Sequence, residues 1–211
     1  MSFRRYRHYQ SGEFIICAAD TSSGGGDFSC AQFLSKSKLD VPTVYHSKVT
    51  ATEMTPLVAL ELERIHKETG VKPVVAYETN NGGVFELQRL ATLNRDGHWI
   101  MYLQKSLGTT DGLETTEKYG FNTNSATRPA ILQLLKEAID NKLIRIYDKP
   151  TISEMFSFII KPNGRPEAEQ SAHDDLVMSL AIAWQMYQTE NPQEVRKARH
   201  ETTGNIGSLF Y

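Results

Sequence analysis

A chain of 211 residues with 40% hydrophobic and 23% charged residues has the size and composition of one globular domain with its own core. A net charge of −2 excludes nucleic-acid binding through overall positive charge, so any such contact needs a local patch or bound cations. No apolar run approaches the roughly 20 residues that cross a bilayer, so no membrane partner is expected. The basic opening MSFRRYRHYQ lacks the apolar core of a secretion signal.

The first element is EFIICAAD, a nearly continuous apolar run that reads as a strand buried on both faces and ends in Asp20. Three glycines with Ser22 and Ser23 form a turn to a second strand, FSCAQFLSKS, and VPTVYHSKV supplies a third. Cys17 and Cys30 lie in these runs as small buried hydrophobes and make no zinc pattern. TPLVALELERIHKETG predicts a helix with Pro56 in its first turn, Gly70 at its end, and Leu57, Leu60, Leu62 and Ile65 on its buried side.

KPVVAYETN is a fourth strand ending at Glu78. GGVFELQRLATLNRDG predicts a second helix, HWIMYLQKS a strand, and residues 107–124 a polar loop. TRPAILQLLKEAIDNKL predicts a third helix with Thr127 as N-cap, followed by a short strand, LIRIYD. MFSFIIKPNGRPEAEQ reads as a β-hairpin and HDDLVMSLAIAWQMYQ as the last core helix. The order predicts an α/β fold, a mixed β-sheet flanked by helices, in one domain spanning residues 1–211. Its core covers about 12–190, and a polar tail without assigned structure covers about 191–211.

The glycines raise the question of a phosphate loop. Such a loop needs a lysine and a hydroxyl residue opening a helix, and here Asp27 and Phe28 follow instead. The acids point elsewhere. Asp20 and Glu78 each end an apolar strand, and Asp174 and Asp175 open an apolar helix. Hard divalent cations take several oxygen ligands held on a rigid rim, and strand ends with a helix N-terminus provide one. Each acid alone has a plainer role, as turn former, solvated strand end or helix cap; their combination favours a metal.

Three stretches, IICAADTSSGGGDFSCAQ, PVVAYETNNGG and SAHDDLVMSLAIAW, resemble the C-terminal nuclease domain of the large terminase subunit of tailed bacteriophages. This is the headful-packaging branch, with a ribonuclease H-like fold. The resemblance implies that Asp20, Glu78 and Asp174 are the catalytic metal ligands, with Asp175 a fourth ligand or support. It implies two Mg²⁺ or Mn²⁺ ions, with Asp20 shared between them, and hydrolysis of double-stranded viral DNA. It also places an additional β-hairpin before the last core helix, at about residues 155–170. Implied partners are an N-terminal packaging ATPase domain, expected to be absent from this chain, a portal and a small terminase subunit, in the host cell cytoplasm. Lys105, Lys161 and Arg165 are the candidate DNA contacts, directed at phosphates, and each also reads as solvated surface charge. Asp27 and His173 are weaker candidates. A Holliday-junction resolvase-like nuclease and a module that mainly docks DNA and portal remain open as other roles.

Overall fold

A computed structural model describes residues 3–22, 28–80, 82–107, 115–156, 158–160, 166–168 and 174–190. Its centre is a six-stranded sheet. In chain order the strands are β1 (Phe3–Arg5), β2 (Ile15–Asp20), β3 (Ser29–Ser35), β4 (Asp40–Ser47), β5 (Val74–Tyr77) and β6 (Ile100–Met101). They lie in the spatial order β1-β4-β3-β2-β5-β6. The pairs β1–β4, β4–β3 and β3–β2 are antiparallel, whereas β5 runs parallel to both β2 and β6.

Parallel neighbours need a crossover, and helices α1 (Ala51–Thr69) and α2 (Gly83–Leu93) supply it on one face. Helix α5 (Asp175–Thr189) packs across β2 and β3 on the other face, with α3 (Thr127–Asp140) and α4 (Lys149–Phe156) against it. The alternation along β2 and β5 sorts the core into two layers. Ile15, Cys17, Ala19, Val75 and Tyr77 face α1 and α2. Ile16, Ala18, Val74 and Ala76 face α3 and α5. Ten of the fifteen residues of α5 are buried, so it is apolar nearly all round, as a helix enclosed on every side must be. Cys17 and Cys30 are free, buried thiols.

Several elements differ from the sequence-based expectation. Helix α1 starts five residues before Pro56, because Thr50 and Glu53 form a capping box there. Its inward face carries Met54, Val58, Leu62 and Ile65, whereas Leu57 and Leu60 are 39% and 63% exposed. Asn124 rather than Thr127 caps α3: its side-chain oxygen accepts the Ala126 and Thr127 N–H groups, both at 2.9 Å. The expected strand LIRIYD makes one isolated bridge, Arg145 with Asp40, and then gives way to α4. The expected loop at 107–124 holds β8 (Thr115–Tyr119), antiparallel to β7 (Leu103–Leu107) in a ribbon of its own. The hairpin before the last helix is present as β9 (Phe158–Ile160) and β10 (Pro166–Ala168). Its tip, with Lys161 and Arg165, lies outside the described residues, as do Asp27 and His173.

Candidate active site

The strand register places the first two acids. Along β2, residues 16 and 18 face α5, so Asp20 continues on that side; along β5, residues 74 and 76 do, and Glu78 follows them. The two strands are parallel neighbours in register, and the Glu78 N–H donates to the Ala19 carbonyl at 2.8 Å. Asp20 and Glu78 therefore emerge side by side at the carboxyl ends of adjacent parallel strands, where open α/β sheets bind ligands.

The other two acids arrive on the N-terminus of α5, which several side chains seat beside Asp20. Cys30, directly opposite Asp20 on β3, donates its thiol to the Asp175 carbonyl at 2.9 Å. Gln32 donates to the Leu176 carbonyl at 3.2 Å and to the Thr151 hydroxyl at 3.0 Å. Glu154 of α4 accepts the Val177 N–H at 2.8 Å, capping α5 from another element. Asp174 and Asp175 thus open a helix that is fixed on three sides.

The four acids line one cleft of about 350 Å³, together with Thr21, Ser22, Asn80, Thr123, Asn124 and Arg128. Every residue lining it is polar or charged. Glu78 is buried, and its Oε1 accepts from the Thr123 hydroxyl and from Asn80 at 3.1 Å. Asn80 also donates to the Thr123 carbonyl at 2.9 Å, so Glu78 sits in a small fixed cradle. Thr123 reaches Glu78 because the segment around Phe121 runs alongside β5, where the Phe121 N–H donates to the Tyr77 carbonyl at 2.9 Å. Gly120 allows this approach: at φ +88°, an added Cβ would lie 2.4 Å from a Leu87 methyl carbon. Gly83 is equally constrained, since its Cβ would meet the Glu78 carbonyl oxygen at 1.7 Å.

Burial, then the charge and contact of Glu78, then the charges of Asp175 and Asp174, push the Asp20 carboxyl well above the usual carboxylate range. Burial likewise pushes Glu154 up to about 8; the Val177 N–H opposes this, and Asp175 and Asp174 add to it. Asp174 pairs with Arg128 of α3. The cleft is a concentration of negative charge that a hard cation would relieve, and its donors are the carboxylate oxygens that such cations take. The donor set fits a divalent ion in chemistry. As the side chains stand, no three His, Cys, Asp or Glu groups among the described residues are arranged to hold one. Asp174 is turned to Arg128, and Glu78 is held by Thr123 and Asn80.

The structure therefore brings together all four predicted acids. Lys105 lies elsewhere, 69% exposed on the β7–β8 ribbon, 3.5 Å from its cross-strand partner Glu117. Sequence reasoning missed Arg128, Thr123, Asn80 and Glu154. Asn80 carried a signal, standing two residues beyond Glu78 at a strand end; the other three carried none.

No family model matches the sequence, and no curated protein matches it. Solved structures do match. The large terminase nuclease of thermophilic phage G20c, with bound cobalt, superposes with a TM-score of 0.64 at 16% identity, over 88% of this chain and 87% of that one. The large terminase nuclease domain of Thermus phage P74-26 gives 0.63 at 16%, over 90% and 88%. That of phage P22 gives 0.56 at 15%, over 92% and 91%. At such identities the likeness is one of architecture, and the chain has the ribonuclease H-like fold of a large terminase nuclease domain.

Proposed function

We propose that this chain is the metal-dependent endonuclease domain of a phage DNA-packaging terminase large subunit, cutting concatemeric double-stranded DNA by hydrolysis of phosphodiester bonds. The observation that carries the proposal is the convergence of Asp20, Glu78, Asp174 and Asp175, drawn from three distant parts of the chain, on one polar cleft in this fold. Solved forms of the G20c nuclease hold cobalt, magnesium or zinc, which supports divalent-ion use here, with Mg²⁺ or Mn²⁺ as the ions. Two such ions supply Lewis-acid polarisation of the phosphate and an acidified water.

The residues of the chain do the rest. Asp20, central in the sheet and flanked by the other acids, would be the principal carboxylate holding the ions. Glu78, fixed by Thr123 and Asn80, and Asp174 would complete the ligand set, with Asp175 supporting. Phosphate-directed contacts give binding that is largely independent of sequence, and Lys105, Lys161 and Arg165 are candidates for them. In the cell the domain works in the host cytoplasm, joined to a packaging ATPase and engaged with the portal and the small subunit.

The test is plasmid digestion in Mg²⁺, Mn²⁺, Ca²⁺ and chelator in parallel, with Asp20→Asn beside the unaltered protein. Cleavage that needs Mg²⁺ or Mn²⁺ and vanishes in folded Asp20→Asn is the expected outcome. Full cleavage by that variant, or cleavage in chelator, rejects the proposal.

A further inference from the structure

We propose that Arg128 is the resident counter-ion of the cleft: its guanidinium holds Asp174 while no cation is bound and passes to a phosphate oxygen of the DNA once one is. This rests on the reading of the cleft as a cation-dependent nuclease site and assigns that site a further residue.

Arg128 is the one basic residue among the described residues lining a cleft that contains four carboxylates. It stands in the first turn of α3, where the helix dipole disfavours a positive side chain, so its placement needs a compensating negative partner. Asp174 is that partner. Other arginines of the protein show what a permanent ion pair looks like. Arg4 grips Asp148 through Nε and Nη2, and the Asp148 side chain is fully buried. Arg7 spans both Asp40 and Glu13, whose side chains are 5% and 1% exposed. The Arg128–Asp174 pair is built differently. Its arginine is about as exposed as Arg4, 32% against 29%, but the contact uses Nη2 alone among the described residues and the Asp174 side chain is itself 29% exposed.

Such a pair can exchange partners at little cost in desolvation. A carboxylate that a divalent ion needs is thus occupied by a weaker ligand of the same charge sign as the ion. When the ion takes Asp174, the guanidinium is released within the same cleft, with its planar fork of donors available. That fork matches phosphate oxygens, which a lysine ammonium serves only as a point charge.

The test is Mn²⁺ titration calorimetry without DNA, on the unaltered protein, Arg128→Gln, Arg128→Lys, Asp174→Asn and the Arg128→Gln/Asp174→Asn double variant. Losing a competing charge of this exposure tightens Mn²⁺ binding on the order of tenfold in Arg128→Gln. The gain disappears in the Asp174→Asn background. Arg128→Lys keeps the charge and binds Mn²⁺ as the unaltered protein does. At saturating Mn²⁺, both Arg128 variants cleave DNA with raised KM, so that in Arg128→Gln the two readouts move in opposite senses, which a merely structural role would not produce. Mn²⁺ affinity unchanged or weakened in Arg128→Gln, or tightened equally without Asp174, overturns the inference alone. An unaltered protein that binds no Mn²⁺ overturns the metal site itself and this inference with it.

Discussion

Replacing Asp148 with asparagine tests how the far edge of the sheet supports the acidic helix. The Asp148 side chain is fully buried, yet it accepts from Arg4 at 2.5 and 3.0 Å, from the Tyr6 hydroxyl at 2.6 Å, and from the Thr151 N–H and hydroxyl at 2.9 and 2.7 Å. It thereby ties β1 to the first turn of α4, the helix whose Glu154 caps α5. Burial alone would raise its proton affinity, but the donors outweigh burial and lower its pKa from 3.8 to about 2. By proton linkage, this difference contributes roughly 2 kcal/mol of stability. Because the folded value is depressed, the contribution is complete above the unfolded value near 4 and is lost as pH falls through about 2. Urea unfolding of both proteins at a series of pH values from neutral to strongly acid reads the effect. The unaltered protein is the more stable at neutral pH, and its advantage over Asp148→Asn shrinks by roughly 2 kcal/mol as pH falls from about 5 to about 1. Parallel pH profiles for the two proteins would refute the reasoning.

Gly83→Ala places a methyl group against the Glu78 carbonyl, where an added Cβ lies 1.7 Å from the oxygen, and backbone there cannot yield cheaply. A loss of roughly 1–3 kcal/mol in denaturant unfolding is expected, with reduced cleavage by the fraction that folds; unchanged stability would contradict the close approach. Glu154→Ala removes the cap on α5 and costs about 1 kcal/mol by the same assay. In chelator, ionising Glu154 disfavours the fold, since stability from its protonated form is present below about pH 4.5 and lost as pH rises through about 8. Glu154→Gln therefore gains on the unaltered protein across that window, and a gap independent of pH would show that Glu154 is not held in the charged surroundings described.

The parts of the site that lie on a strongly patterned element were legible in the sequence. Asp20 and Glu78 end continuous apolar runs, and the twofold period of a strand fixes which face each takes once one face is known. Asp174 and Asp175 open a helix whose apolar residues leave no ambiguity about burial. The β7–β8 ribbon was not legible, because its second strand, TTEKY, is short and polar and carries no apolar alternation to separate it from a loop. Leu57 and Leu60 misled for the opposite reason: apolar residues occur on more than one side of α1, and only its packing on the sheet selects Met54, Val58, Leu62 and Ile65. Arg128, Thr123 and Glu154 join the site through tertiary placement of α3, α4 and the segment after Gly120, and no local period records that.

Diffraction from crystals soaked in Mn²⁺, with anomalous scattering to locate the ion, tests the central claim most directly. The account predicts manganese in the cleft, bound by Asp20 with Glu78 and Asp174, and the Arg128 side chain withdrawn from Asp174. Full occupancy of Mn²⁺ elsewhere on the protein, with these carboxylates left without an ion, would contradict it.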